Sequence, residues 1–265
     1  MDNVKTVWIT GASSGIGAAL AHTYNSKGYF TILSARREDV LESVRANLPH
    51  SENAAVLALD LGNYQDAQQW FSQAISYTGQ IDILINNGGM GHLGSVMDMQ
   101  PAVESKVMDV NFWGAVSLTK VVLPHMIARG SGAIWTVASI LGFFGSPKLA
   151  AYAASKSAVL GYFESLWFEM KDTPIHIGVV SPGFINTNVT LSSLDAQGKP
   201  LGKNSVAQEK GMLPEVFAKK FYAKSQRRRR HMLIGGYELA SVYLKRYCPW
   251  FFAILYAKMT AKARK

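Results

Sequence analysis

Residues 10–17 read Thr10-Gly11-Ala12-Ser13-Ser14-Gly15-Ile16-Gly17, between an apolar run and a helical pattern. This G-x-x-x-G-x-G spacing is a variant of the strand-to-helix loop that holds a pyrophosphate in dinucleotide-binding folds. It predicts a tight turn at Gly11, close backbone approach to phosphate at Gly15 and close helix–strand packing at Gly17. The helix that follows would direct free N–H groups at the pyrophosphate. An ordinary Gly/Ser turn is the alternative, and the candidate cofactor residues of this loop are Gly11, Ser13, Ser14, Gly15, Ile16 and Gly17.

The rest of the chain alternates short apolar or β-branched runs with longer helical patterns, which is typical of a parallel sheet with crossover helices. Strands are predicted at 4–10, 29–34, 54–59, 81–86, 133–138, 175–180 and 231–234. Helices are predicted at 15–27, at about 101–125 and around Tyr152 to about 171. The sequence therefore predicts an α/β fold: a single Rossmann-like, doubly wound parallel sheet of about seven strands, with helices on both faces and a C-terminal helical extension.

We interpret residues 1–265 as one domain, since a chain of this length can bury most of its apolar surface in one core. Residues 1–187 form the predicted cofactor-binding and catalytic part, 188–224 a substrate lid and helix, and 237–265 an amphipathic helical tail. The stretch 187–213 is polar and lacks clear periodicity, so it is either a lid or a mobile insertion. A position beyond the carboxyl end of a strand, where open α/β folds bind ligands, favours the lid.

Composition narrows the class of protein. The formal net charge of +9 permits anionic cofactors, anionic lipid or nucleic acid without choosing among them. Cys248 is the only cysteine, and the six histidines follow no H-x-x-x-H or H-E-x-x-H pattern, so no metal site is predicted. Residues 1–6 lead into an apolar strand without the features of a signal peptide, which predicts a cytoplasmic protein. The apolar run at 249–257 is well short of the ~20 residues of a membrane span.

The second predicted strand ends in Ser34-Ala35-Arg36-Arg37. NAD-binding proteins place a carboxylate here to accept the ribose hydroxyl, whereas arginine suits the 2′-phosphate of NADP. Arg36 and Arg37 would present fork-shaped donors to that phosphate. The alternative is that both pair with acidic residues of the next helix, which are Glu38, Asp39 and Glu42. The sequence thus favours NADP(H) over NAD(H) as the cofactor.

Two further strand ends are expected to line the crevice where adenosine lies. Asp60-Leu61 follows the third strand, and Asn86-Asn87-Gly88-Gly89 follows the fourth. We take Asp60, Leu61, Asn87 and Gly88 as cofactor-binding candidates. Asp60 has the alternative role of a turn or capping residue.

A second group of residues points to proton transfer. Tyr152 and Lys156 are one helical turn apart, so the phenol and the ammonium share a face, and Ser139 lies thirteen residues before Tyr152. A phenol titrates near pH ~10, too high for free proton exchange at neutral pH. A cation about 4 Å away at an effective dielectric of ~20 supplies the ~3–4 kcal/mol that lowers this pKa by about two to three. We therefore expect Lys156 to lower the pKa of Tyr152, unless the two form an accidental pair on a solvated helix face.

Together these motifs resemble the short-chain dehydrogenase/reductase family. The residues that carry the resemblance are Thr10-Gly11-x-x-x-Gly15-x-Gly17, Asn86-Asn87-Gly88-Gly89, Asn111, Ser139, Tyr152-x-x-x-Lys156 and Pro182-Gly183. The match covers about residues 5–187, with Gly88 where the family usually has alanine. Ser34-Ala35-Arg36-Arg37 and the aromatic, basic C-terminus look like the branch related to 11β-hydroxysteroid dehydrogenase.

The resemblance implies a role for each of these residues. Tyr152 would be the acid/base, Ser139 would fix the substrate oxygen, and Lys156 would hold the nicotinamide ribose. Asn111 would anchor a water that connects Lys156 to solvent. The resemblance also implies a homodimer formed through the long helix near Asn111 and the helix of Tyr152. Further cofactor-binding candidates after the sixth strand are Pro182, Gly183, Ile185 and Thr187.

Three features are open to more than one interpretation. His92 either borders the substrate pocket or holds a loop with no catalytic duty. Arg227-Arg228-Arg229-Arg230 is either a solvated helix end or a patch for nucleic acid or lipid. The tail is either an interfacial helix over anionic lipid or a helix that covers a substrate pocket or a subunit contact. Its apolar and basic residues are Trp250, Phe251, Phe252, Leu255, Tyr256, Lys245, Arg246, Lys258 and Lys262.

The predicted function is NADP(H)-dependent interconversion of a carbonyl and a secondary alcohol on a small, fairly apolar molecule, such as a lipid, a steroid-like alcohol or a xenobiotic. Met90 and Met97 near the presumed pocket motivate the apolar substrate. One alternative is an NADPH-binding regulatory or membrane-docked protein without turnover, and another is a 3-oxoacyl-thioester reductase. We expect no nucleic-acid partner, since basic charge alone supports one. Peripheral membrane contact through the tail is an open alternative.

Overall fold

The computed structural model describes residues 4–187, 193–202 and 209–261. The predictions for 1–3, for parts of the lid at 188–192 and 203–208, and for the tail end at 262–265 lie outside the described residues. Seven parallel strands form one sheet in the order β3-β2-β1-β4-β5-β6-β7, which confirms the predicted fold class. They are β1 (Thr6–Thr10), β2 (Phe30–Ser34), β3 (Ala54–Val56), β4 (Ile83–Asn86), β5 (Gly132–Val137), β6 (Ile175–Pro182) and β7 (His231–Ile234).

Helices connect the strands and cover both faces of the sheet. Those in the described part of the chain are α1 (Gly15–Asn25), α2 (Glu38–Ala46), α3 (Ala67–Thr78), α4 (Pro101–Met108), α5 (Gly114–Arg129), α6 (Ala150–Met170), α7 (Pro214–Ser225), α8 (Ala240–Tyr247) and α9 (Pro249–Met259).

The two cores follow from the alternation of side chains along each strand. Trp8 and Leu84 are fully buried in a core that α3, α5 and α6 complete. Val7, Ile9 and Ile85 are fully buried in the opposite core, which α1 and α7 complete. Because both faces are covered, the side chains of the central strands are largely buried and mostly apolar, as expected of a parallel sheet.

The strand order reverses at β1, which pairs with β2 on one side and with β4 on the other. Ligands of open α/β sheets bind at such a switch point, beyond the carboxyl ends of the strands. The candidate residues that follow β1, β4, β5 and β6 are therefore brought to one edge of the sheet.

Two predicted elements differ from the observed ones. The strand predicted at 54–59 ends at Val56, which pairs with Leu33 near the end of β2. Beyond it, Leu57 N donates to the carbonyl oxygen of Leu33 at 2.9 Å, and Leu59 N donates to that of Ala35, just after β2, at 3.0 Å. The helix predicted at about 101–125 is interrupted by a π-helical turn at Asp109–Trp113 and ends at Arg129.

The C-terminal extension packs one side of α9 against the loop after β5. The ring of Phe144 lies 5.0 Å from that of Phe252 and 5.4 Å from that of Tyr256, measured between centroids. On the outer side of α9, Trp250 and Ile254 are 71% and 51% exposed. Among the described residues, no helix has both the length and the apolar content needed to cross a membrane.

Candidate active site

The glycine-rich loop takes the conformation that its spacing predicts. Gly11 and Gly15 have φ values of 65° and 54°, in the left-handed region that other residues rarely adopt. A Cβ at Gly11 would lie 2.8 Å from the Cα of Gly88, and one at Gly15 would lie 2.9 Å from Cγ2 of Thr187. At Gly17 a Cβ would overlap the carbonyl oxygen of Gly11. The loop thus needs glycine both for its turn and for the close approach of neighbouring segments.

Asn87 ties the loop to the end of β4. Its Nδ2 donates to the carbonyl oxygens of Thr10 at 2.9 Å and of Gly11 at 3.3 Å. In return, the Thr10 hydroxyl accepts from the backbone N–H of Asn87 at 3.0 Å and of Gly88 at 2.9 Å. Four hydrogen bonds therefore fix the spacing of the two strand ends on either side of the switch point.

Gly88 has a packing reason for the absence of a side chain. A Cβ there would overlap Cδ1 of Leu61, which is 7% exposed. Leu61 itself packs against Gly114 at the start of α5, where a Cβ would lie 2.9 Å from the Cβ of Leu61. The family usually has alanine at position 88, so in this chain the leucine occupies the space of that methyl group.

A crevice of about 920 Å³ opens at this edge of the sheet. Most of the predicted site residues line it, namely Gly11, Ser13, Ser14, Gly15, Ile16, Arg36, Arg37, Asp60, Leu61, Asn87, Gly88, Ser139, Tyr152, Lys156, Pro182, Gly183, Ile185 and Thr187. Two predicted site residues, Gly17 and Asn111, do not line the crevice. Gly89 and Met90, which the sequence placed at the crevice without a binding role, line it as well. Sequence reasoning did not single out the other lining residues, namely Ala35, Leu59, Lys106, Val110, Val137, Ala138, Leu194, Gly198 and Pro200.

Arg36 and Arg37 are exposed at the end of the crevice that follows β2. Among the residues that the structure describes, neither guanidinium forms an ion pair. Glu42, one of the proposed alternative partners, instead pairs with Arg45 at 2.7 Å. The observed contacts therefore leave both arginines available to an anion in the crevice.

Asp60 has the capping role that was its alternative interpretation. Its Oδ1 accepts from the backbone N–H of Gly62 at 3.0 Å, at the start of a 3₁₀ turn over Leu61–Asp66. The residue also lines the crevice, so a contact with a cofactor is compatible with the cap.

Ser139, Tyr152 and Lys156 meet at the other end of the crevice. The Tyr152 phenol and the Ser139 hydroxyl form a hydrogen bond, and Ser139 Oγ also accepts from Leu141 N at 3.2 Å. Lys156 is 4% exposed, donates from Nζ to the Val137 carbonyl oxygen at 3.0 Å, and has Nζ 5.8 Å from the centre of the Tyr152 ring. The structure thus brings the three side chains together at one end of the crevice.

The pKa of Tyr152 is raised in the structure, which is opposite to the lowering expected from Lys156. Burial raises the pKa of the Tyr152 phenol, and the hydrogen bond with Ser139 opposes that shift. Burial also lowers the pKa of Lys156 to about 8. Helical spacing predicts the shared face correctly, but removal of both groups from water favours their neutral forms.

Asn111 lies in the π-helical turn and is 2% exposed. Its Oδ1 accepts from Met90 N at 2.7 Å, while its Nδ2 donates to Met90 O at 2.9 Å and to Ser155 Oγ at 3.0 Å. A Cβ at Gly89 would lie 3.1 Å from Asn111 Oδ1 and 3.5 Å from Lys156 Nζ. Asn111 therefore joins the loop after β4 to α6 beside Lys156, and its implied role as a water anchor stays a prediction.

Known proteins match this arrangement of motifs. A sequence profile of the family described as short chain dehydrogenase matches residues 5–198, well over half of the chain.

The chain belongs to the short-chain dehydrogenase/reductase family. Curated members of the family match nearly all of it. A Drosophila melanogaster protein, dehydrogenase/reductase SDR family protein 7-like, is 36% identical over 264 residues, which are 97% of this chain and 81% of its own length. A Bos taurus protein, dehydrogenase/reductase SDR family member 7B, is 32% identical over 267 residues, 98% of this chain and 82% of its own.

Solved structures of the family share the fold. A short-chain dehydrogenase/reductase from Burkholderia phymatum in complex with NAD has a TM-score of 0.83 at 23% identity and covers 92% of this chain and 93% of its own. An alcohol dehydrogenase from Thermococcus sibiricus complexed with 5-hydroxy-NADP has a TM-score of 0.75 at 22% identity and covers 88% and 97%.

Membership in the family makes the protein an oxidoreductase of CH–OH groups and the corresponding carbonyls, with a nicotinamide cofactor. The described residues fit such a cofactor, because the glycine-rich loop before α1, the two arginines after β2 and the segment after β6 all line one crevice of about 920 Å³. The resemblance to the branch related to 11β-hydroxysteroid dehydrogenase stays a prediction. In the part of the chain that the structure describes, no group of three or more His, Cys, Asp or Glu side chains is placed to hold a metal ion.

Proposed function

We propose that the protein uses NADP(H) to interconvert a carbonyl and a secondary alcohol on a fairly apolar small molecule, with Tyr152 as the acid/base. The observation that carries this proposal is the meeting of Ser139, Tyr152 and Lys156 at one end of a crevice whose other end holds two arginines without ion-pair partners in the described chain. One end thus suits proton transfer to an oxygen, and the other suits a phosphate dianion.

The chain's own residues divide the work of holding the cofactor. With the cofactor bound, the N–H groups at the start of α1 would hold the pyrophosphate, and Arg36 and Arg37 would bind the 2′-phosphate. Lys156 would hold the nicotinamide ribose. When bound in its reduced form, the nicotinamide supplies the hydride that adds to the carbonyl carbon.

Tyr152 donates its proton to the substrate oxygen as the carbonyl is reduced. Its raised pKa keeps the phenol protonated at neutral pH, which is the form that an acid needs. Ser139 donates a hydrogen bond to the same oxygen and holds it beside the phenol. The positive charge on Lys156 favours the tyrosinate that forms when the proton leaves.

An apolar substrate is supported by the apolar part of the crevice wall. Met90, Ile185, Leu194 and Pro200 line it, and none of these side chains carries a charge. A pocket of apolar side chains with a few convergent polar groups is typical of small-molecule sites. Met97, which the sequence placed near the pocket, is instead 92% exposed and does not support the substrate assignment.

The experiment that tests this function follows NADPH absorbance with a panel of ketones, aldehydes and 3-oxoacyl thioesters. We expect turnover of apolar ketones by the wild-type protein, and a loss of about 10²–10⁴-fold in Tyr152→Phe with unchanged NADPH affinity. Tyr162→Phe is the matched control, since Tyr162 lies on the same helix outside the crevice.

Three other outcomes of that experiment have definite meanings. Substantial turnover by Tyr152→Phe excludes the tyrosine as acid/base. Preferred turnover of the thioesters identifies the reductase of 3-oxoacyl thioesters. NADPH binding without turnover of any compound identifies a regulatory binder.

We also propose that the outer side of the tail contacts an anionic membrane surface. Trp250 and Ile254 are largely exposed on α9, and the two tail helices also carry Lys245, Arg246 and Lys258. Apolar side chains flanked by cations suit the boundary between headgroups and acyl chains. We expect flotation with phosphatidylserine vesicles to be lost in Trp250→Ser/Ile254→Ser and kept in Met97→Ser, an exposed apolar side chain in the loop after β4.

A homodimer through the long helix and α6 is a further proposal. Trp113 in the π-helical turn and Phe168 on α6 are 42% and 55% exposed, which supports a covered face in solution. Light scattering during size-exclusion chromatography tests the assembly. A wild-type mass of one chain would refute it.

A further inference from the structure

His92 is a buried titratable side chain that the proposed chemistry does not use. It lies in the loop after β4 and is 2% exposed. Its Nε2 accepts from the backbone N–H of Tyr152 at 3.1 Å, across 60 residues of sequence. An acceptor at Nε2 places the proton of the neutral ring on Nδ1.

The first turn of α6 needs such an acceptor. The N–H groups at a helix start have no partner within the helix, and the residue before α6, Leu149, makes no side-chain cap. The first bond within the helix runs from Ala153 N to Leu149 O at 2.9 Å, so Tyr152 N–H is the last unpaired donor of the turn. His92 satisfies this donor from outside the helix.

The loop that carries His92 is itself fixed to the segment at 193–200. Leu93 N donates to Leu194 O at 2.8 Å, and Leu194 N donates to Gly91 O at 3.1 Å. Leu194 also lines the crevice. The histidine therefore lies between the segment that borders the substrate end of the crevice and the helix of Tyr152.

We propose that His92 is a positioning residue for Tyr152: its neutral ring holds the first turn of α6 and sets the phenol against Ser139 and the crevice. The proposal rests on the assignment of Tyr152 as acid/base. Only the neutral ring performs this role, because an imidazolium carries a proton on Nε2 and would face the Tyr152 N–H donor to donor.

The surroundings of the ring keep it neutral at physiological pH. Burial lowers the pKa of His92, and the carboxylate of Glu104 on α4 opposes this shift. Nδ1 has no hydrogen-bond partner among the described residues. The pairing with Tyr152 N–H is thus present at neutral pH and is lost as the ring gains a proton in acid.

Two substitutions separate the hydrogen bond from simple packing. His92→Leu fills the site without an acceptor, whereas His92→Gln supplies an amide oxygen that reaches the same donor and does not titrate. His176→Gln is the matched control, since His176 is a buried histidine on β6 that does not line the crevice. The measurements are amide hydrogen exchange at Tyr152 in the full-length protein, and kcat and KM with NADPH and 9,10-phenanthrenequinone.

We expect His92→Leu to speed exchange at the Tyr152 amide and to lower kcat, each by about tenfold or more, with the KM for NADPH within about twofold. His92→Gln is expected to keep the exchange rate at the Tyr152 amide and kcat near wild type. It is also expected to remove the part of the decrease in kcat at acidic pH that protonation of His92 causes. His176→Gln is expected to leave exchange at Tyr152 unchanged.

Equal behaviour of His92→Leu and His92→Gln in exchange and in kcat would overturn the proposal. So would the same faster exchange in His176→Gln, because it would indicate a general loss of stability. Absence of turnover by wild type with the quinone would count against the proposed function, while the exchange rates would still decide whether His92 holds the helix.

Discussion

Lys156 donates from Nζ to the carbonyl oxygen of Val137 at 3.0 Å, which bonds the helix of Tyr152 to the end of β5, two residues before Ser139. The contact leaves the ammonium largely out of water, since the residue is 4% exposed. Its pKa is accordingly lowered to about 8 by burial. A modest rise in pH is therefore enough to remove the positive charge of Lys156.

We expect NADPH affinity to fall as the pH rises through about 8, because Lys156 then loses the charge proposed to hold the ribose. In Lys156→Arg the guanidinium stays charged, so this alkaline decrease is expected to disappear. Fluorescence titration with NADPH from pH 7 to 10 measures this affinity in the wild-type protein and in Lys156→Arg. An identical decrease in the arginine variant would assign it to another group.

The expected fall in NADPH affinity cannot come from unfolding caused by deprotonation of Lys156. The unfolded chain keeps the ordinary value of 10.5, so between pH 8 and 10.5 it binds more protons at this residue than the folded chain does. The free energy of unfolding therefore rises with pH in this window, by about 3 kcal/mol at most for the full difference. Stability and cofactor affinity thus change in opposite directions, and urea unfolding at pH 8 and 10 distinguishes them.

The arginines after β2 are expected to select the cofactor. Arg36→Asp/Arg37→Ala removes two donors to a 2′-phosphate and adds a carboxylate suited to a ribose hydroxyl. We expect kcat/KM for NADPH to fall by about tenfold or more, since a charged hydrogen bond contributes about 1.5–3 kcal/mol, and kcat/KM for NADH to rise. Arg45→Ala, whose guanidinium pairs with Glu42 on α2, is the control and should change neither ratio. Full NADPH selectivity in the double variant would refute the assignment.

The space taken by Leu61 makes Gly88→Ala a test of packing. The added methyl overlaps Leu61 Cδ1, so we expect a loss of about 1–3 kcal/mol in the free energy of unfolding. Leu61→Val removes the obstructing carbon, and the double variant should be more stable than the sum of the two single losses. Gly161→Ala on α6 is the control: a Cβ there meets nothing within 4 Å, and we expect a gain of about 0.5–1 kcal/mol. Additive losses would show that the two residues do not compete for space.

Features set by adjacent residues were predictable from the sequence. The glycines of the loop at 10–17 specify their own backbone angles, and one helical turn places Tyr152 and Lys156 on one face. The seven strands and their parallel order follow from the alternation of apolar runs with helical patterns.

Features set by distant pairings were not predictable in the same way. Asn87 bonds to Thr10 across 77 residues, and His92 bonds to Tyr152 across 60, so neither role has a local pattern. The direction of the Tyr152 pKa shift depends on how much water the fold removes, which spacing does not encode. The exposed outer side of α9 likewise depends on which residues the loop after β5 covers.

Acid is expected to destabilise the protein through His176 on β6. The residue is 6% exposed, and burial, helped by the charge of Arg228, lowers its pKa to about 4. An unfolded histidine titrates near 6.5, so between pH 6.5 and 4 the unfolded chain binds more protons than the folded one. The contribution to stability is complete above pH 6.5 and is lost as the pH falls, by about 3 kcal/mol in all.

His176→Phe keeps a ring against Trp135, whose centroid lies 4.7 Å from that of the histidine, and removes the titrating group. We expect urea unfolding at pH 7.5 and 4.5 to show a smaller acid loss in this variant than in wild type. Part of the loss should persist, because burial also lowers the pKa of His92 and of His231. The difference in the free energy of unfolding between His176→Phe and wild type should not change between pH 7.5 and 8.5, where none of these histidines is charged in the folded or the unfolded chain. Equal acid losses in both proteins would mean that His176 takes up its proton without unfolding the chain.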